Sequence, residues 1–227
     1  MCGRFTLRTP ASVLVSTFQL VTEPLWQPRY NIAPTQSVPV VRWDEGAGGR
    51  VLTPLYWGLI PSWAKDPSIG NRMINARGES IAEKPSFRSA FKRRRCIVVA
   101  DGYYEWKKTG SKKQPYLIHL PDEQPFAMAG LWETWTRPAS GDDEKTAIES
   151  CTVITTTSNE KTRDIHDRMP VILHQQDWSS WLDPHNNDTE HLKQLLLPFD
   201  SDLTDMYPVS THVNSPRNED PSCTQPM

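Results

Sequence analysis

Apolar and polar positions alternate through much of the chain, and the alternation predicts strands more often than helices. SVPVVRW and VLTPLYW flank the turn-forming run DEGAGG and read as a long hairpin. CIVVADGYYEWKK, QPYLIHL and PFAMAGLWE read as three successive antiparallel strands, and SCTVITTT as another, rich in β-branched residues. MPVILH and MYPVSTHV complete the set as short strands. Helical patterns are briefer. ASVLVSTF follows Thr9, an N-cap residue, and Pro10, suited to a first helical position. A second helix is expected from about Ser80 toward Phe91, with Pro85 able to break it. SNEKTRDIH reads as a short helix capped by Ser158, QQDWSSWLD as a turn of helix, and DTEHLKQLLL as an amphipathic helix capped by Asp188.

Two stretches read as loops. RYNIAPTQ contains polar residues and Pro34, while GLIPSWAKDPSIGNRMINARGES is punctuated by proline and glycine and longer than an ordinary connection. The apolar residues of the second (Ile60, Trp63, Ile69, Met73, Ile74) argue for order, hence for a functional loop. No repeat or linker interrupts the chain, so residues 1–214 are expected to form one domain. Residues 215–227, SPRNEDPSCTQPM, are polar and proline-containing and expected to be disordered. The elements sum to an α+β fold, mainly antiparallel β with peripheral helices.

Composition narrows the class. With 227 residues, 37% hydrophobic and 23% charged, the chain can bury a substantial core. No apolar run approaches the ~18 residues of a membrane helix, and the N-terminus lacks the apolar region of a secretory signal. The expected location is therefore cytoplasmic, in contact with the nucleoid, or nuclear in a eukaryotic host. Cys2, Cys96, Cys151 and Cys223 match no metal-ligand spacing, and disulfides are not expected in such a compartment. The net charge of −2 conceals an asymmetry: residues 1–120 carry 18 Lys and Arg against 8 Asp and Glu, residues 121–227 carry 7 against 19. A basic half of that size can face a polyanion, or the two halves can simply pair.

Chemistry enters with MCGRF. Loss of Met1 would leave Cys2 with an α-amine and a thiol on adjacent carbons. An amine with a pKa near ~8 is partly neutral at neutral pH, and Arg4 would favour the thiolate. The amine can form a Schiff base with an aldehyde, and the thiol can add to the imine to close a thiazolidine, an intramolecular step with high effective concentration. The thiol alone could instead be a peptidase nucleophile. In DGYYEW, alternation places Tyr103 and Glu105 on one face and Tyr104 and Trp106 on the other; a carboxyl among rings would have a raised pKa and suit a general acid, whereas a solvent-facing residue beside Lys107 and Lys108 would not. DIHDRMP supplies His166 as a proton carrier, flanked by Asp164, Asp167 and Arg168. INARGES supplies Asn75, whose amide can hold an amine or sugar oxygen, and Arg77, which can grip a phosphate. Trp63 could stack on a base, and Lys92 to Arg95 form the densest positive run.

MCGR, RYNIAP, WGLIPSW, INAR-E, ADGYYEW and DIHDRMP, in this order, make the chain resemble the SOS-response-associated peptidase (SRAP) family from Cys2 to about Val213. The resemblance implies a barrel-like β core and a protein that reacts with abasic sites in single-stranded DNA, whose ring-opened sugar exposes an aldehyde. It implies a thiazolidine cross-link through Cys2 after autoproteolytic loss of Met1, with Asn75 holding the amine and sugar, Glu105 as acid/base and His166 as second proton carrier. Arg4, Arg77 and Arg168 match positions that bind the DNA backbone, and Asn31 and Trp63 lie in motifs lining the site. Ala64 stands where members often carry another aromatic. Weak abasic-site lyase activity and cross-link reversal follow from the same chemistry, which needs no metal or organic cofactor. A monomer is expected, with no membrane partner, and a thiol (auto)peptidase remains the alternative reading.

Overall fold

In the computed structural model, which describes residues 2–137 and 147–227, the expected hairpin forms from β3 (Ser37–Asp44) and β4 (Gly49–Trp57), paired from Ser37↔Tyr56 to Asp44↔Gly49. Its partners are β6 (Arg95–Ala100), β9 (Phe126–Thr136) and β10 (Ala147–Thr157), in the order β4-β3-β6-β9-β10. β10 returns to β4 in parallel through Ser150↔Tyr56 and Cys151↔Trp57, which closes a five-stranded barrel and removes its free edges. The fold is α+β and mainly antiparallel, as expected. Cys96 and Cys151 are buried strand residues of this barrel.

A second sheet has the order β13-β8-β7-β1-β2, built from β1 (Phe5–Leu7), β2 (Arg29–Ile32), β7 (Gly102–Thr109), β8 (Lys112–His119) and β13 (Asp205–Pro208). It packs on the barrel through one core in which Phe5 meets Trp57 edge to face, ring centroids 5.2 Å apart. Three shorter strands decorate the barrel. β5 (Asn75–Arg77) runs parallel to β10, β11 (Arg168–Pro170) antiparallel to it, and β12 (Ile172–Leu173) pairs with β9.

CIVVADGYYEWKK is two strands rather than one. β6 belongs to the barrel and β7 to the second sheet, and the chain changes sheet at Asp101. The buried Asp101 carboxylate holds the corner by accepting from the Thr6 hydroxyl, the Arg8 and Thr9 amides and the Thr9 hydroxyl. Gly102 follows because a Cβ there would lie 2.8 Å from Leu117 Cδ1. Thr9 is thereby withdrawn from capping, and Pro10 takes the N-cap position of α1 (Ala11–Phe18) without a side-chain bond.

Other expectations need correction. RYNI is strand β2, not loop. Only α2 (Arg88–Arg93) of the expected 80–91 helix forms, after Pro85, with tighter turns before it. SNEKTRDIH makes turns organised by Asn159, whose Oδ1 accepts from the Thr162 amide at 3.0 Å, instead of a helix capped by Ser158. The remaining helices, α3 (Trp178–Leu182) and α4 (Thr189–Gln194), form as expected, with Asp188 accepting from the His191 amide.

The segment 215–227 is not disordered. Glu219 accepts from Arg29 at 2.9 and 2.7 Å and from the Tyr30 and Asn31 amides, and Cys223 is fully buried against Tyr104 and Val213. Its polar residues satisfy backbone groups of β2 that would otherwise be an unpaired sheet edge. Glu219→Ala is expected to cost about 2 kcal/mol, in the range of hydrogen bonds to charged groups. Urea unfolding and limited proteolysis would read the loss, with first cleavage in this segment.

Candidate functional site

The start of β1 meets the barrel at one point. Phe5 lies opposite Tyr103 in the β1–β7 register, and the Tyr104 amide donates to the Arg4 carbonyl at 2.9 Å. Continued two residues, that register brings Gly3 across from Glu105 and sets Cys2 beside it. From the barrel side, β5 presents Asn75, whose Nδ2 donates to the Cys2 carbonyl at 2.7 Å. The Asn75 Oδ1 is buried with no partner. His166, at the entry to β11, lines an open depression of about 450 Å³ together with Glu105, Trp106, Lys113 and Asn214. The structure thus brings together Cys2, Asn75, Glu105 and His166, drawn from four separate segments.

Glu105 is 5% exposed, and burial pushes its carboxyl upward, with the neighbouring His166 working against the rise. It is buried with Tyr103, whereas Lys107 is half-buried and Lys108 exposed farther along β7. His166 Nδ1 lies 3.0 Å from the Arg168 amide and 2.9 Å from Asp167 Oδ1. A single nitrogen cannot accept from the first and donate to the second. The amide is a fixed donor, so that contact is made only by a ring whose Nδ1 carries no proton.

The thiol corrects an expectation. Cys2 is fully buried, and burial followed by the charge of Glu105 pushes its thiol well up rather than down. Arg4 helps only through its backbone N–H, because its guanidinium turns away to Asn31 Oδ1 at 2.7 Å and the Val213 carbonyl at 2.9 Å. Asn31 is 0% exposed and donates to the carbonyls of Val213, Ser215 and Asn218. Both residues therefore fasten the C-terminal segment beside the site; Asn31 is buried, while Arg4 is half-buried with its guanidinium 5.8 Å from the ring centroid of Trp106, which lines the depression.

Arg77, exposed, follows Asn75 by two residues and so extends the same row of β5 outward. Arg168 is held in a two-pronged pair with Glu79 and donates to the Thr155 carbonyl at 2.7 Å. The INAR-E glutamate thus positions an arginine, which pulls the Glu79 carboxyl below its ordinary value. Trp63 is 59% exposed, on a loop closed by Gly58 and Gly70, where a Cβ on Gly58 would sit 2.6 Å from the Gly70 carbonyl oxygen. The adjacent Ala64 is buried beside Ile60 and Trp135.

The run Lys92 to Arg95 is not a uniform positive patch. Arg95 is buried, donating to the carbonyls of Trp181, Phe91, Lys92, Asp183 and Asn186, and burial brings its guanidinium down to about 10. Arg94 pairs with Glu133 at 2.7 Å. Sequence reasoning also missed Trp106, Lys113 and Asn214 as lining residues: alternation places Trp106 on the face opposite Glu105, and nothing local marked the other two. One group of potential metal ligands occurs among the described residues, His212, Asp220 and Cys223, with ligating atoms within 4.8 Å of one another. Those atoms are already engaged, His212 Nε2 with Asp220 at 2.9 Å and Cys223 Sγ with the Asn218 carbonyl at 3.4 Å. No helix among the described residues is long and apolar enough to cross a membrane.

Known proteins share this arrangement of chain. "Abasic site processing protein YoqW" of Bacillus subtilis (strain 168) is 46% identical over 225 residues, covering 97% of each chain. "Abasic site processing protein HMCES" of Xenopus tropicalis is 35% identical over 226 residues, covering 87% of this chain and 66% of that protein. A crystal structure of a protein from Bacteroides thetaiotaomicron superposes over the whole of both chains with a TM-score of 0.86 at 30% identity. Residues 1–216 match the profile of the family described as SOS response associated peptidase (SRAP). By this match and these relatives, the chain belongs to the SRAP family.

Proposed function

We propose that the protein processes abasic sites in single-stranded DNA by forming a thiazolidine between Cys2 and the exposed sugar aldehyde. The observation that carries this reading is the convergence of Cys2, Asn75 and Glu105 beneath an open depression that Glu105 and His166 line. Met1, whose loss the chemistry requires, lies outside the described residues. Once it is gone, the Cys2 nitrogen attacks the aldehyde carbon and expels its oxygen as water. Glu105, whose carboxyl burial pushes upward toward its acid form, is proposed to supply the proton for that departure. His166 lines the same depression as Glu105 and is proposed as the second proton carrier. Asn75 orients the Cys2 residue through its carbonyl, and its partnerless Oδ1 is the acceptor available to the freed amine.

Exposed Arg77 and Trp63 are the groups suited to phosphate and base contacts, with Lys113 adding charge at the rim. If the imine forms and the thiol does not close, β-elimination nicks the strand, so weak lyase activity is part of the proposal, as is acid-assisted reversal. Loss of Met1 is proposed to be autoproteolytic, and the protein to act as a monomer in the cytoplasm at the nucleoid, or in the nucleus of a eukaryotic host. A thiol peptidase acting on other proteins is less well supported, since such a nucleophile needs a thiolate at rest and burial here opposes one. Mass spectrometry after mixing with a single-stranded abasic oligonucleotide tests the reading. The expected species lacks Met1 and carries the DNA on Cys2; an unmodified chain, or DNA attached through a lysine, would overturn it.

A further inference from the structure

Tyr103 carries a polar group for which the fold has no use. It is 1% exposed, sits opposite Phe5 at the end of β1, and shares the inward face of β7 with Glu105. Its hydroxyl has no hydrogen-bond partner. The next residue in the chain, Tyr104, is equally buried and donates to the Tyr30 carbonyl at 2.7 Å. A buried hydroxyl without a partner costs stability, and phenylalanine would fill the same space without that cost. The group therefore calls for an explanation outside the folding of the chain.

Its surroundings supply one. Burial, then the nearness of Cys2 and of Glu105, pushes the Tyr103 hydroxyl well above its ordinary value, so it stays a neutral donor at every working pH. The Cys2 sulfur is buried in the same core and has the Arg4 backbone N–H to favour its anionic form. A sulfur that must lose its proton in an apolar setting needs donors aimed at it.

We propose that the Tyr103 hydroxyl donates a hydrogen bond to the Cys2 sulfur as that atom closes the ring on the sugar carbon. The inference rests on the thiazolidine chemistry proposed above. In the closing step the Cys2 nitrogen is joined to C1′ as an iminium. The thiol proton passes to the Glu105 carboxylate, left ionised after it protonated the departing water. The sulfur pair forms the C–S bond while the C=N π pair returns to nitrogen, giving a neutral ring amine. Charge on sulfur is greatest between proton loss and bond formation, and Tyr103 O–H with Arg4 N–H stabilise it there.

Tyr103→Phe in the full chain separates this step from the one before it. Samples mixed with single-stranded abasic DNA are quenched either with borohydride, which traps the imine, or by denaturation alone, which retains the closed ring. Imine is expected to accumulate at the wild-type rate, the denaturation-resistant product about tenfold more slowly, and strand nicking to rise. The slowing is expected to be greatest at low pH, where thiolate is scarcest. The variant is expected to melt no lower than wild type, since it loses no hydrogen bond. Resistant product at the wild-type rate would overturn the proposal, as would imine and ring slowed together, which would assign the hydroxyl to the sugar instead. Failure of the wild type itself to form resistant product would bring down the thiazolidine reading along with it.

Discussion

Cys2→Ser is expected to lose the denaturation-resistant product with abasic single-stranded DNA by at least about a hundredfold, because the intramolecular advantage of the thiol disappears. The amine survives the substitution, so an imine should still be trapped by borohydride, and nicking should exceed that of wild type. A hydroxyl gives up its proton far less readily than a thiol and closes a ring that reopens easily. Folding has to be followed in parallel, since Cys2 is fully buried and a hydroxyl placed there costs about 1–3 kcal/mol if it finds no partner. Cys2→Ala, which introduces no polar atom, separates the two effects. Both variants should lose the product while differing in melting temperature. Resistant product at wild-type yield in either variant would mean that another nucleophile does the work. Burial pushes the Cys2 thiol up, so under the proposed chemistry the sulfur should react only after the adjacent amine has captured the carbonyl carbon.

Much of the barrel was legible because its strands alternate over long runs, as in SVPVVRW and SCTVITTT. What alternation cannot carry is membership of a sheet. CIVVADGYYEWKK keeps one period across two sheets, and the residue that divides them, Asp101, finds its partners in Thr6, Arg8 and Thr9, some ninety positions away. RYNI and the C-terminal segment were hidden from each other for the same reason. Each is polar by itself, and each becomes ordered through Glu219 and Asn31, which no local pattern connects. In the site, Glu105 was legible because a face can be read from a strand, and Asn75 and His166 through the family resemblance. The acidity of the thiol was not. Arg4 is two residues from Cys2, and adjacency favours their interaction, but the long side chain is recruited by Asn31 and Val213. Arg95 makes the same point among four consecutive cations: the one that begins a barrel strand is drawn inside, where five carbonyls replace water.

Glu105→Gln is expected to slow formation of the resistant product by about a hundredfold, the lower range for loss of a general acid. The amide keeps the shape and can still donate a hydrogen bond, but it has no proton to give. The pH dependence should change as well. Burial raises the Glu105 carboxyl above its ordinary value of 4.5, so the wild-type site holds its acid form to higher pH than a free glutamate would. The rate component that depends on this proton falls as pH climbs through the raised native value, and the glutamine variant should lack that fall. Stability moves in the opposite sense. Below pH 4.5 both folded and unfolded wild type hold the proton, and the site contributes nothing. As pH rises past 4.5 the unfolded chain releases its proton while the folded chain keeps it, so wild-type stability declines until the raised native value is passed and the penalty levels off. Glutamine carries no such penalty. The variant should therefore match wild type in urea unfolding near pH 4 and exceed it at pH 8. A slower enzyme that is also more stable at alkaline pH is the signature of a carboxyl held in the core for its proton. A variant that lost stability at both pH values would instead mark Glu105 as a structural anchor of the chain start, and its rate loss would then be assigned to a misplaced Cys2.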